Sequence, residues 1–234
     1  MTVAETIKNI TRNHLTNNKG LALGQCLTAV GWVGGTVPEM KEEEGVVELS
    51  MADVSGGGIA VGLGLAGRRP IYIVRYQGFQ WYNSPVIVNY AAKSKEMWGV
   101  PWPVFVRSIA MEGGIGPVAG SSHHGIYYRM PGIPICAPMT PKEYQSVWDY
   151  FMAHDDPIYV SEHRRSFVID YEMPDEITKE ADITLFPISA TRLNAIEAKK
   201  VLETKGIKCN IVHLMWLKPF LVDERIKQAI SGSK

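Results

Sequence analysis

Two short stretches of the chain carry residue types that can do chemistry, and one carboxylate stands where a helix should begin. Gly62-Leu-Gly64-Leu-Ala-Gly67 matches G-x-G-x-x-G, whose glycines let a backbone approach a dinucleotide pyrophosphate. That use needs a strand before the glycines, a helix opening on them, and an acid about 20 residues later for the ribose. Here the glycines close a run of small residues and a strand-like segment follows. No Asp or Glu occurs between Val54 and Lys95, so the pattern does not support nicotinamide binding. No G-x-x-x-x-G-K-S/T loop occurs either, which leaves triphosphate hydrolysis without support. His123 and His124 are neighbours in a Gly/Ser-rich loop after a strand, where open α/β sheets place ligands. An imidazole there can donate to a carboxylate or shuttle a proton. A structural histidine and a metal pair are the other readings; no acid or cysteine stands beside the pair to favour a metal. Asp53 precedes a small-residue run and reads either as a carboxylate offered to a ligand or as a helix N-cap. Glu48, five residues upstream, reads as a strand-end residue.

These residues need a frame. Residues 4–19 have helical apolar spacing, with Ile7, Ile10 and Leu15 on one face. Leu21–Gly24, Val46–Leu49, Pro70–Arg75, Pro103–Ile109, Ile133–Ala137 and Pro157–Glu162 read as strands. Asp53–Gly67, Ser84–Met97 and Pro141–His154 read as helices, the last with Thr140 as N-cap. A glycine-rich loop holds Gly31, Gly34 and Gly35, and Lys41–Glu44 reads as a solvated turn. A long loop, 110–125, is rich in Gly, Ser and His. The alternation predicts an α/β fold, a mainly parallel sheet with helices on both faces. Residues 164–181 are polar, contain Pro174, and read as a linker. Beyond them Ile183–Ile188, Thr191–Lys205, Cys209–Leu214 and Val222–Ile230 read as the start of a second α/β unit, too small to close a core easily. The expected division is 1–163, 164–181 and 182–234.

The 234 residues carry 24 Lys+Arg and 24 Asp+Glu, hence no net charge. That balance argues against a phosphate-contacting nucleic-acid binder and against a polybasic membrane-surface protein. A hydrophobic share of 46% with 21% charged residues is enough for a packed core. The glycine-rich stretch 56–67 is too short to span a bilayer. No basic region followed by an apolar run opens the chain, so a cytoplasmic location is expected. Cys26, Cys136 and Cys209 lie far apart and read as buried thiols rather than disulfides or zinc ligands.

Taken together, Val47-Glu-Leu-Ser-Met-Ala-Asp53, the Gly56–Pro70 block, Tyr76-Gln-Gly-Phe79, Gly116-Pro-Val-Ala-Gly-Ser-Ser-His123-His124, Pro131–Pro138 and Asp155–Val160 resemble the pyrimidine-binding domain of thiamine-diphosphate enzymes. The likeness is to the β subunit of 2-oxoacid dehydrogenase decarboxylating components and to the central region of transketolase. It covers residues 1–162, and Ile183–Pro219 is similar to the opening of the family's C-terminal domain. The resemblance implies that a carboxylate before the small-residue helix bonds the cofactor's aminopyrimidine and favours the imino tautomer, which removes the thiazolium proton. By position that carboxylate is Asp53, where the family has glutamate, one methylene longer. Phe79 matches the aromatic that stacks on the aminopyrimidine, with Tyr76 and Gln77 expected to line the same cleft. His123 matches the histidine that faces substrate, with His124 secondary. The family's Gly-Asp-Gly motif and downstream Asn, which hold magnesium and the diphosphate, do not occur. The resemblance therefore implies a shared site: thiamine diphosphate lies between this chain and an α-type partner that holds Mg2+, in an α2β2 assembly acting on a 2-oxoacid or ketose. Trp32, Trp81, Trp98 and Trp102 are then expected partly in the core and partly at the interface. A non-catalytic regulatory or scaffold subunit of the same fold remains the alternative.

Overall fold

The computed structural model describes residues 1–111 and 115–233. Its main sheet is built from β1 (Leu21–Gln25), β2 (Val46–Leu49), β3 (Pro70–Val74), β4 (Phe105–Ala110), β5 (Ile135–Cys136) and β6 (Ile158–His163). These six run parallel, in the order β2-β1-β3-β4-β6-β5. The central strands β3, β4 and β6 are buried along their whole length, as strands covered on both faces must be. β7 (Ile183–Leu185) and β8 (Cys209–Ile211) pair parallel in a second sheet. β9 (Trp216–Lys218) returns to the main sheet and pairs antiparallel with β5.

Helices lie on both faces. On one, α1 (Val3–Asn18) opens with a reciprocal capping box between Thr2 and Glu5 and buries Val3, Ile7, Ile10 and Leu15. With α6 (Pro141–Ala153), capped by Thr140, it encloses Phe105, Tyr144, Trp148 and Phe151. On the other face lie α3 (Asp53–Leu65), α4 (Gln80–Val86) and α5 (Ala92–Trp98). α3 presses its backbone against its neighbours: a Cβ on Gly57 would lie 2.7 Å from Asn83 Cβ, and one on Gly64 would lie 2.9 Å from Pro103 O. Of the G-x-G-x-x-G glycines, Gly64 thus serves close packing and Gly67 takes φ +79° after α3, while a Cβ on Gly62 would meet nothing within 4 Å. The single helix expected over 84–97 is interrupted: Pro85 sits inside α4 and residues Ile87–Ala91 form a π turn.

Two features brace the sheet. Arg107 on β4 and Glu162 on β6 form a buried bidentate pair, Nε to Oε1 at 2.6 Å and Nη2 to Oε2 at 2.9 Å. Tyr144 donates to the same carboxylate at 2.6 Å, and Arg107 reaches Thr36 Oγ1 at 2.9 Å. Thr36 closes α2 (Ala29–Gly35), expected as a loop but wound with left-handed backbone: φ is +63° at Gly31, +54° at Trp32, +48° at Val33, +64° at Gly34 and +82° at Gly35. The three glycines take that hand freely, while Trp32 and Val33 each cost about 1–2 kcal/mol. Burial of Val33 and the bond from Thr36 Oγ1 to Val33 O hold the turn. Glu48 accepts from Leu27 N and Thr28 N, both at 3.0 Å, and so anchors its entrance.

The segment 164–181 is not the solvated linker its polarity suggests. Phe167, Ile169 and Met173 are buried in the core, and Val3 N and Ala4 N donate to Ile169 O and Phe167 O. Val168 and Tyr171 are exposed, but Phe167, Ile169, Met173 and Ala181 face inward, so the segment's average polarity conceals a packed strap. Helices α7 (Thr191–Thr204) and α8 (Glu224–Ser231) accompany the second sheet. Through β9, and through Met215 and Trp216 against the main core, residues after 182 contribute to the first unit as well as to their own. Among the described residues, no helix is long and apolar enough to cross a membrane.

Candidate functional site

The carboxyl ends of β1 and β3 and the start of α3 converge on a cavity of about 200 Å³. It is lined by Gln25 and Cys26 after β1, Met51 and Asp53 at the mouth of α3, and Tyr72 to Tyr76 with Phe79 after β3. This is smaller than the space a drug-sized ligand fills and is suited to one ring system. Phe79, packed on the core behind it, supplies an apolar wall, and Tyr76 stands with its ring centroid 6.1 Å away at 48°. Asp53 is the first helical residue of α3; the N-cap is Ala52, which makes no side-chain cap bond. Capping therefore does not account for Asp53. Burial raises its carboxyl above the usual range, opposed by its own backbone N–H and by Gln25. The buried Gln25 Nε2 nonetheless completes no hydrogen bond. A half-buried carboxyl here can hand a proton to, or hold one against, a ring nitrogen.

A second group of residues lies beside this cavity. Residues 116–125 fold over the Gln77–Phe79 turn so tightly that a Cβ on Gly78 would lie 2.5 Å from Val118 O. Gln77 is wholly buried. Its Nε2 donates to Ser108 O at 2.9 Å and Ser161 Oγ at 2.7 Å, and its Oε1 accepts from His123 N at 2.6 Å. The His123 ring meets Trp81 edge-on, 5.7 Å between centroids. His124 Nδ1 lies 2.6 Å from Ser161 Oγ. The same hydroxyl oxygen accepts from Gln77, so Ser161 links the Gln77 amide to the His124 ring. Burial, then the neighbouring His163 and His123, push His124 down to about 4, so it is neutral at physiological pH.

The structure thus brings together Asp53, Tyr76 and Phe79, and sets His123 and His124 on a loop tied to the same turn. Gln77 is placed otherwise than expected: it is a strut beneath the loop and does not line the cleft. Cys26 is also corrected, being half-exposed in the cavity wall with φ +54°, whereas Cys136 and Cys209 are buried. Gln25, Met51, Tyr72 and Arg75 line the cavity and were missed; the rule that ligands sit at strand carboxyl ends points to Gln25 and Arg75. Trp102 is buried, and Trp81 and Trp98 are more than half exposed. Of the loop 110–125, residues 112–114 lie outside the described residues. Among the described residues, no three His, Cys, Asp or Glu are grouped to hold a metal ion.

Residues 21–168 match the family described as transketolase, pyrimidine binding domain. The β subunit of the pyruvate dehydrogenase E1 component of Bacillus subtilis is 26% identical over 243 residues, covering 95% of this chain and 74% of that protein. The 2-oxoisovalerate dehydrogenase subunit beta of the same organism is 28% identical over 212 residues, covering 81% of this chain and 62% of that one. Among solved structures, the transketolase of Campylobacter jejuni superposes on all of this chain with a TM-score of 0.81 at 18% identity, over 38% of its own length. A split-gene transketolase, described as an inactive beta4 tetramer, gives a TM-score of 0.71 at 16% identity, over 76% of its length. These superpositions show a shared fold.

Proposed function

The chain belongs to the transketolase pyrimidine-binding domain family, and from that premise we propose that it is the β-type subunit of a thiamine-diphosphate-dependent enzyme acting on a 2-oxoacid or transferring an acyl or ketol unit. The observation that carries this is the cavity of about 200 Å³ in which Asp53, its carboxyl raised by burial, and the Phe79 ring line the same space. The residues present fit an aminopyrimidine: Phe79 and Tyr76 offer flat walls, Asp53 a carboxyl for a ring nitrogen, and Gln25 an unused buried amide donor. When bound, the cofactor supplies a nucleophilic carbon able to attack a carbonyl. Asp53 holds the proton at the ring nitrogen. His123, fixed through its backbone N–H by Gln77, offers an imidazole on the substrate side. His124 stays neutral at physiological pH. The diphosphate and Mg2+ belong on an α-type partner in an α2β2 assembly, with the site closed only between chains.

The test is exchange of the thiazolium proton with deuterated solvent in the assembled complex. Asp53→Asn keeps shape and removes the charge, so exchange is expected to slow by orders of magnitude, while Asp53→Glu holds or raises the rate. Exchange indifferent to both substitutions would sink the assignment and leave a non-catalytic subunit of the same fold.

A further inference from the structure

Five polar residues sit in the apolar layer on the α3–α4 face of the sheet and bridge two parts of the site. Tyr72 on β3 and Tyr159 on β6 stand on one rung, each paired with Val106 of β4 between them. Tyr72 lines the Asp53 cavity, and its hydroxyl donates to Asp53 O at 3.5 Å. The Tyr159 hydroxyl donates to His123 O at 3.4 Å. Between these ends, Asn83 Nδ2 donates to the Tyr72 hydroxyl at 3.3 Å. Gln80 Nε2 donates to Asn83 Oδ1 and, at 2.5 Å, to the Tyr127 hydroxyl. The last link is made by packing: the Tyr127 ring meets Tyr159 edge-on, 5.0 Å between centroids. All five residues are buried, in a layer that also holds Val61, Val74, Ile87 and Val106. Apolar side chains of similar size would fill that layer without desolvating a polar atom. Gln80 carries a further cost, since its Oε1 is buried with no partner. Such a network in a dry interior fixes the geometry of whatever its ends hold, and these ends hold the backbone carbonyls of Asp53 and His123.

We propose that Gln80 is a positioning residue, which with Asn83 and Tyr127 couples the Asp53 end of the cavity to the His123 loop. A ring seated beside Asp53 settles the start of α3, and through Tyr72, Gln80 and Tyr159 it steadies His123 for the substrate. His123 is then held on both sides, its N–H by Gln77 and its carbonyl by this bridge. The parts given to ring and substrate rest on the function proposed above; the coupling itself is measured without cofactor.

The experiment is hydrogen–deuterium exchange of backbone amides in the full chain, in Tyr72→Phe, Tyr159→Phe and Gln80→Met and in each tyrosine variant combined with Gln80→Met. Each phenylalanine removes one hydroxyl and keeps the ring. Tyr72→Phe is expected to speed exchange in residues 123–126 at least about twofold, although its hydroxyl bonds to none of them. Tyr159→Phe is expected to do the same in residues 53–57, as coupling within one network requires. In the Gln80→Met background both cross-effects are expected to vanish. A side chain that merely stabilises the fold would speed exchange around itself and leave the far end alone. Cross-effects that are absent, or that persist without Gln80, overturn the proposal. If Gln80→Met does not fold, Gln80→Glu, which keeps the shape and loses the Nε2 donor, serves in its place. Thiazolium exchange is read separately. Asp53-dependent exchange without cross-effects sinks the coupling alone, and cross-effects without that exchange leave the coupling standing and sink the cofactor reading.

Discussion

Replacing Gln77 with methionine keeps the side chain's length and burial and removes its polar atoms. His123 N–H then loses the acceptor at 2.6 Å, and Ser108 O and Ser161 Oγ each lose a donor, at 2.9 and 2.7 Å. An orphaned buried N–H costs about 1–3 kcal/mol and each lost ordinary hydrogen bond about 0.5–1.5, which gives about 2–6 kcal/mol in all. Domains of this kind have about 5–15 kcal/mol to lose, so the variant is expected to fold with a clearly lower urea midpoint. Exchange of the His123 amide with solvent is expected to speed up more than exchange in β4, because the tether is lost locally. Gln77→Glu supplies the control: it still offers His123 N–H an acceptor but turns a carboxylate oxygen towards Ser108 O. It should destabilise at least as much while leaving the His123 amide protected. A Gln77→Met loss below about 0.5 kcal/mol, the level of an indifferent surface change, with unaltered His123 exchange, would refute the strut.

In the assembled enzyme, His123→Ala is expected to lower turnover about 10²–10⁴-fold with little change in cofactor affinity; unchanged turnover would make it a structural residue. His124 and His213 sit at about 4 and His14 is also lowered, in each case chiefly by burial. Their contribution to stability is therefore complete above the ordinary histidine range near 6.5 and is lost as the pH falls towards 4. Urea midpoints should decline between pH 7 and 4.5, less steeply in His124→Gln, and a flat profile would contradict this. Gly132 and Gly206 share φ +73°, but a Cβ on Gly132 would fall 1.5 Å from Ala92 O while one on Gly206 meets nothing within 4 Å. Gly206→Ala should cost about 1–2 kcal/mol and Gly132→Ala clearly more, and equal melting temperatures would count against the packing of that turn on α5.

The parallel sheet was legible because each strand is a short apolar run bounded by turn residues, and Val46–Leu49 has the expected bounds. That Asp53, Tyr76 and Phe79 line one cavity agrees with the cleft the resemblance implies. What escaped depends on contacts that no local pattern encodes. Gln77 looks like any polar residue flanking an aromatic, and only the meeting of β4, β6 and the histidine loop gives its amide four partners. Trp216–Lys218 is too short to read as a strand, and its place is set by the free edge of β5. The interruption at Ile87–Ala91 follows from Pro85, a signal that was available in the sequence. The strap 164–181 was misread because a few inward-facing apolar residues are diluted by polar neighbours.

The reversed winding of residues 31–35 makes chirality an experimental variable. Ordinarily an L-alanine in place of glycine stiffens the unfolded chain and helps. At Gly31, Gly34 and Gly35 an L-residue must instead adopt a backbone hand it resists, as Trp32 and Val33 already do. The mirror-image residue prefers that hand. A D-alanine introduced there by chemical synthesis would restrict the unfolded chain without straining the folded one. Two proteins of identical composition, differing only in the configuration at one carbon, should then shift stability in opposite directions.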